Sequence, residues 1–523
     1  MSGLPEHLQT LLLPRAYPHP VHAVELIETH VSWVLLTGEF AYKIKRPVHY
    51  PFVDLRSAAR RKALCHEEVR LNHRFAPELY LGVSPITTRG GEARLEGAGP
   101  VIEHAVKMRQ FPREQELDRL LEARAIEPAE LEAFGRELAG LHARLPAAPN
   151  RQGWGRPQAL GAQIVANAAE FSRAAQALGD GADPAALRAL LQTRLDSLAE
   201  PLAQRYARGR VRECHGDLHT RNIVRRGARL LPFDCLEFDP ALRWTDVADE
   251  IGFLLADLEV RQRPLHALAF LGGYLEESGD CQACCLLPLF KAHRALVRAK
   301  IAALDAISAD SAGVDAELWR RQSRAYAQGA RRFLEPPSPP AVVLMCGLSG
   351  SGKTWLARRL APQLHAVPVR SDVERKRAAG LGASDRSAPG IEQGLYGRDM
   401  TSRVYGRLAQ CADNLVSGGY TAIVDATFGR REDRMRFREL AARLGVRIRL
   451  VYCHAPHKVL EARLSARHHR ADDASEADLA VLAWQEGRFE RPAADEGIAI
   501  LEAADDSEAA VRDLAQRIVR PGG

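Results

Sequence analysis

The sequence predicts an α+β region followed by an α/β domain built on a parallel sheet. Three observations carry that reading. Hairpin-like strand runs lie near the N-terminus, long alanine- and leucine-rich helical stretches follow, and a buried strand leading into a glycine-rich loop and a helix opens the C-terminal part. At 523 residues the chain exceeds one ordinary core, so two or three domains are expected.

In chain order, Val31–Leu36 and Phe40–Lys45 are β-prone runs joined by Thr37-Gly38-Glu39, the pattern of a hairpin. From about Glu114 to Ala147, and again from about Ala159 to Arg208, the pattern is helical. Strand signals return over Val211–Asp234, and helix resumes to Phe333. This gives a small lobe over about residues 20–105 and a helical lobe over about residues 106–335. Pro336-Pro337-Ser338-Pro339-Pro340 can neither continue a helix nor join a central strand, so 336–340 reads as a short, semi-rigid spacer. Ala341–Cys346 then reads as a buried strand. The expected domains are therefore 1–335 and 341–523.

Composition narrows the class. With 46% hydrophobic and 26% charged residues and a net charge of +6, the chain reads as a soluble globular protein without a bulk pull toward nucleic acid or membranes. No segment approaches the roughly 20 apolar residues of a membrane span. Met1–His22 lacks the basic start of a secretory signal. Nine cysteines without a framework fit a reducing, cytoplasmic setting. Cys281, Cys284 and Cys285 have no second paired cluster to complete a metal site and read as buried packing.

The sharpest motif is Gly347-Leu348-Ser349-Gly350-Ser351-Gly352-Lys353-Thr354, a full G-x-x-x-x-G-K-[ST] match between a strand and a helix. Its glycines let backbone N–H groups of Gly347, Ser349, Gly350, Ser351 and Gly352 turn toward phosphate oxygens. Lys353 is expected on the β/γ-phosphates, the Thr354 hydroxyl on magnesium, and the helix N-terminus adds its dipole. Ala422–Asp425 is an apolar strand ending in a carboxylate suited to the magnesium side. Asp372, after the strand-like Val369-Arg370, is a candidate base for an acceptor hydroxyl, with Arg375 one turn on; it also suits a helix cap. Arg463 and Arg467, four apart, share a helix face from which they would close over a triphosphate or face solvent. Through GLSGSGKT, RSDVERKR, IVDATF and the stretch Arg463 to Gln485, the segment Gly347–Gln485 resembles P-loop kinases related to zeta toxins, gluconate kinase and phage polynucleotide kinase. The resemblance implies ATP-dependent phosphorylation of a hydroxyl, with Asp372 as base, and leaves the acceptor open.

The second motif is Cys214-His215-Gly216-Asp217-Leu218-His219-Thr220-Arg221-Asn222. An Asp followed five residues later by Asn has the spacing of a protein-kinase-like catalytic loop, Asp217 taking the acceptor proton and Asn222 binding magnesium. Asp234, closing the run Leu230–Phe233, suits a second metal ligand. Lys43, in Phe40-Ala41-Tyr42-Lys43, is the preferred lysine for the α/β-phosphates, with Lys45 on the same face as the alternative. Glu67 or Glu68 supplies its partner carboxylate, and Val106-Lys107-Met108 is the candidate hinge meeting adenine. Across about residues 20–330 the chain resembles the aminoglycoside phosphotransferase family of kinase-like proteins, which implies a bilobal protein-kinase-like fold. It departs from the wider kinase pattern in having no G-x-G-x-x-G before Lys43, so the Thr37-Gly38-Glu39 turn takes any phosphate-covering role.

The expectation is a bifunctional kinase using ATP and Mg2+ at two sites on small-molecule hydroxyl substrates, with no membrane partner. One active module with a regulatory partner, or an ATP-binding, toxin-like switch, are the alternatives. A polynucleotide 5′-hydroxyl acceptor is the other, raised by Arg430, Arg431, Arg434, Arg436 and Arg438; that run reads first as a solvated helix face.

Overall fold

The computed structural model describes residues 3–50, 53–149, 153–179, 184–336, 338–382, 385, 397–468, 479–503 and 507–520, with the side chains of 398, 467 and 468 left aside. It divides into two compact units. The first comprises Met1–Glu130, Arg144–Ala162 and Leu202–Leu254; the second comprises Leu131–Ala143, Gln163–Pro201 and Leu255–Gly523.

In the first unit, strand-forming runs build a six-stranded antiparallel sheet. The strands are β1 (Glu25–Glu28), β2 (Ser32–Leu36), β3 (Phe40–Lys45), β6 (Tyr80–Arg89), β7 (Glu92–Leu95) and β8 (Val101–Arg109), in the order β1-β2-β3-β8-β6-β7; the short pair β4 (His49–Tyr50) and β5 (Val53–Asp54) stands apart. The expected hairpin forms, with Leu36 opposite Ala41, the Thr37 N–H donating to the Phe40 carbonyl, and Gly38 at φ +96°. Side chains of β3 alternate. Tyr42 and Ile44 enter one apolar core with Trp33, Ile86 and Leu95, whereas Ala41 packs on the other face with Cys65, Tyr80 and Val106. Lys43 and Lys45 share the face of Ala41, where the helix Ala58–Asn72 packs against β6 and β8. Val106-Lys107-Met108, expected as a hinge, lies inside β8 between β3 and β6, because its backbone groups are used in two ladders; the strand runs on to Arg109. Farther along come the hairpin β10 (Ile223–Arg226)–β11 (Arg229–Pro232) and the antiparallel pair β9 (Val211–Glu213)–β12 (Trp244–Asp246).

The second unit contains the parallel sheet β14-β15-β13-β16-β17, from β13 (Ala341–Cys346), β14 (Ala366–Arg370), β15 (Thr421–Asp425), β16 (Arg447–Tyr452) and β17 (Ala499–Glu502). Its central strand is apolar along its whole length and fully buried, as a strand covered on both faces should be. Parallel register sets Met345 and Arg370 beside Asp425, so the loops after three strands open at one edge. The helices Pro264–Ser278, Ala283–Ser311 and Glu317–Leu334 belong to this unit.

Cys284 and Cys285 are buried and lie outside the disulfide, as expected of packing residues. Cys281 departs from that reading. It is buried but disulfide-bonded to Cys411, with Cα atoms 5.1 Å apart across 130 residues of chain. Among the described residues no helix is long and apolar enough to cross a membrane.

Candidate active sites

In the first unit, three distant segments meet. Lys43 Nζ donates to Glu68 Oε1 at 2.9 Å and also pairs with Asp234; Lys45 pairs with the other oxygen of Glu68 and with Glu237. Glu68 is wholly buried and faces both lysines, while Glu67 turns to Arg70 and Arg243; the choice left open by the sequence falls on Glu68. Both lysines stay charged. Burial alone would lower their pKa values, but Asp234 and Glu68 raise Lys43 well above the ordinary lysine range, and Glu237 and Glu68 raise Lys45. Burial would likewise push the Asp234 carboxyl up, yet the Lys43 ammonium wins and holds it low.

The loop from β9 is shaped by its own small residues. Gly216 has φ +85°, and a Cβ there would stand 3.1 Å from the Leu242 carbonyl oxygen. Asn222 Nδ2 donates to the backbone oxygen and to Oδ2 of Asp217, each at 3.0 Å, and His219 Nε2 lies 3.4 Å from Oδ2. Asp217 is partly exposed, so an acceptor can reach it. His215 is buried, with Nε2–H donating to the Phe233 carbonyl at 2.8 Å and Nδ1 accepting the Asp217 N–H at 3.3 Å. Burial pushes its pKa down to about 4, so the ring is neutral, as that pattern of one donor and one acceptor requires.

Sequence reasoning missed several residues here. The fully buried Glu250 accepts the N–H groups of His215 at 2.7 Å and Gly216 at 3.0 Å. Asp234 has φ +65°, uncommon for a residue with a side chain, and its N–H donates to the Tyr80 hydroxyl at 2.9 Å; the next N–H, of Cys235, donates to Asn72 Oδ1 at 3.0 Å. Glu237 was within reach of inference, three residues beyond Asp234. Glu250 and Tyr80 carry no local signal.

In the second unit the glycine-rich loop follows β13 and leads into the helix Lys353–Gln363. Gly347 must be glycine, because a Cβ would stand 2.1 Å from the Cys453 carbonyl oxygen. Gly350 and Gly352 have φ of +83° and +93°. Ser351 Oγ is buried and makes no hydrogen bond among the described residues. A cradle of turned amides with a spare buried hydroxyl fits a phosphate group. Thr354 Oγ1 donates to Asp425 Oδ2 at 2.6 Å, and this pair has the oxygen chemistry that magnesium takes. Burial raises the Asp425 pKa, the nearby Asp372 charge adds to the rise, and Lys353, the Thr354 hydrogen bond and Arg370 oppose it. Lys353 Nζ donates to the Leu348 carbonyl at 2.8 Å.

Asp372 therefore stands within electrostatic reach of Asp425, on the helix Ser371–Ala378, which also carries the buried Arg375. Arg463, on His457–His468, donates to the Gly350 carbonyl at 3.3 Å. Arg467 is on the same helix, its side chain outside the described residues. Gln485, unassigned from sequence, accepts the Ser349 N–H at 2.9 Å. Of the arginine run read as a solvated face, Arg434 alone is buried, while Arg431 and Arg438 are exposed. Arg434 is buried against Glu496, Arg430 pairs with Asp433 at 3.0 Å and Arg431 with Asp495 at 2.7 Å, because α-helical spacing turns Arg434 inward with Phe437.

Comparison with known proteins agrees with both halves. Residues 51–283 match the model of the phosphotransferase enzyme family, and residues 342–492 match that of an AAA domain. The two matches fall on separate segments, a phosphotransferase-family segment first and an AAA-domain segment after it. An uncharacterised protein of Mycobacterium tuberculosis is 29% identical over 476 residues, covering 90% of this chain and 92% of its own. Among solved structures, a choline/ethanolamine kinase family protein from Mesorhizobium loti is 14% identical and covers 60% of this chain and 89% of its own, with a TM-score of 0.35. A sugar kinase from a Janibacter species is 21% identical over 34% of this chain and 94% of its own, with a TM-score of 0.27.

Proposed function

We propose that the chain is a bifunctional ATP-dependent phosphotransferase that phosphorylates hydroxyl groups of small molecules, with one active site in each unit. The observation that carries this reading is a repeated convergence. In each unit, residues remote in sequence bring a lysine ammonium beside carboxylates of the kind that hold a metal: Lys43 with Asp234 and Glu68 in one, Lys353 near the Thr354–Asp425 pair in the other. Bound Mg2+ would supply charge neutralisation on the phosphates, held by Asn222 and Asp234 in the first site and by Thr354 and Asp425 in the second.

The remaining work is positioning and proton transfer. In the first site Lys43, pinned by Glu68, orients the α/β-phosphates. Asp217, held by Asn222, accepts the acceptor's proton as the new O–P bond forms and the bond to the ADP oxygen breaks. In the second, Asp372 takes the same proton role, backbone amides of Gly347–Gly352 and Lys353 hold the phosphates, and Arg375 and Arg463 stabilise charge during transfer. Arg434 is buried against Glu496, and Arg430 and Arg431 already pair with Asp433 and Asp495, which weakens the support for a nucleic-acid surface.

The test uses full-length Asp217→Ala, Asp372→Ala and Lys353→Ala proteins, assayed for ATP consumption with a metabolite extract. Mass spectrometry then identifies the phosphorylated product of each site. Each Asp variant should lose one product and keep the other. Loss of neither product in the Asp variants overturns both assigned bases.

A further inference from the structure

We infer that the C-terminal end of the helix Pro264–Ser278 is part of the second site's positioning machinery, with Glu276 as a positioning residue for the segment that carries Asp372 and Arg375. This rests on the P-loop site being the kinase site argued above.

A helix leaves its last carbonyls without intrahelical partners and concentrates partial negative charge there. Pro264–Ser278 closes at Gly279, which has φ +62° and an N–H donating to the Leu275 carbonyl. Two of the oxygens at this end are taken by arginines from the other side of the Pro336–Pro340 spacer. Arg377 Nη2 donates to the Glu276 carbonyl at 2.5 Å, and Arg407 donates to the Gly279 carbonyl. The side chain of Glu276 continues the contact, with Oε1 3.5 Å from Arg370 Nη1 and Oε2 3.1 Å from Arg136 Nη1. Buried Glu374 completes the network by pairing with Arg377 and with Arg407 Nε, the latter at 3.2 Å.

The catalytic candidates lie between these anchors. Arg370 ends β14 beside Asp425, Asp372 and Arg375 follow within two turns, and Arg377 closes the segment. Both ends of Arg370–Arg377 are thus fastened to residues 276–279. The contacts named here involve no residue of Gly347–Thr354. Nucleotide binding and acceptor-side geometry therefore rest on different supports, and the helices ahead of the spacer hold the second of these.

The experiment uses the full chain in an Asp217→Ala background, so that Lys353-dependent hydrolysis of MgATP alone reports the second site. Hydrogen exchange is followed in parallel. Glu276→Gln should speed exchange of amides 371–378 and leave 353–363 unchanged. It should lower kcat about tenfold or more while the KM for ATP stays within about twofold, and Glu276→Asp should restore most of the rate. Arg407→Met, on the exposed side of the network, gives the same reading if Glu276→Gln does not fold. Unchanged exchange at 371–378 in the folded variants overturns the inference, and so does faster exchange with an unaltered kcat. Absence of Lys353-dependent turnover in the parent protein would instead sink the kinase reading, and the exchange pattern alone then decides whether 276–279 anchors the segment.

Discussion

Lys43 and Asp234, 191 residues apart in the chain, form a direct ion pair, and the same ammonium donates to Glu68 at 2.9 Å. Lys45, two residues on, repeats the arrangement with Glu68 and Glu237 but is almost wholly buried. The two lysines therefore have separable roles. Lys43→Met should lower first-site kcat by about a hundredfold or more with a smaller loss of stability, since Lys45 still pairs with the buried Glu68. Lys45→Met should instead destabilise the fold by about 3–5 kcal/mol, because Glu68 and Glu237 lose a buried counter-charge. Urea denaturation of both variants, beside first-site turnover, separates them. Equal stability losses would contradict the division.

The loop that carries Asp217 hangs on Glu250, whose two oxygens accept the N–H groups of His215 and Gly216. Glu250→Gln keeps the shape but turns an amide donor toward one of those N–H groups. A loss of about 2 kcal/mol in stability is expected, with a larger fall in kcat than in substrate affinity at the first site. Denaturant unfolding and steady-state kinetics read the two effects.

His215 gives a pH signature. Its pKa falls from the ordinary 6.5 to about 4 on folding, so the unfolded chain binds the proton more tightly between those values. The stability contributed by the neutral ring is full above pH 6.5 and is lost as pH falls toward 4. The whole change is on the order of 3 kcal/mol. Unfolding free energies measured from pH 7 down to 4 should slope accordingly, and His215→Gln should flatten that part of the slope. A parallel slope in the variant would remove His215 as its source.

Much of both sites was legible because their motifs are local. A loop proposed to hold phosphate needs glycines where amides turn inward, and Gly347, Gly350 and Gly352 supply them at positive φ. The five-residue spacing of Asp217 and Asn222 likewise survives in sequence because both sit in one loop. The partners were illegible for the opposite reason. Glu250 acts from a helix, Tyr80 from a strand, and the Cys281–Cys411 bond spans 130 residues, so only folding brings them together. The proline-rich run falls between the helix Glu317–Leu334 and β13. It does not reveal that Arg377 and Arg407 reach back to Glu276 and Gly279, because a helix end offers carbonyls that no sequence pattern advertises.

The Thr354–Asp425 hydrogen bond sets the last expectation. Asp425 must be ionised to serve a divalent cation, and burial works against that ionisation while Lys353, Thr354 and Arg370 favour it. Thr354→Ala removes one of the opposing influences, so the Asp425 pKa rises further. The acid limb of the second site's rate profile should therefore move to higher pH. The Mg2+ concentration for half-maximal rate should rise by about tenfold, since a metal-side hydroxyl is lost along with part of the carboxylate's charge. Nucleotide affinity should change far less, because the amides of Gly347–Gly352 are untouched. Rate profiles and Mg2+ titrations in an Asp217→Ala background measure these shifts. An acid limb that stays in place, with an unchanged Mg2+ requirement, would show that Asp425 does not hold the metal and that its hydrogen bond to Thr354 serves only to tie the loop to β15.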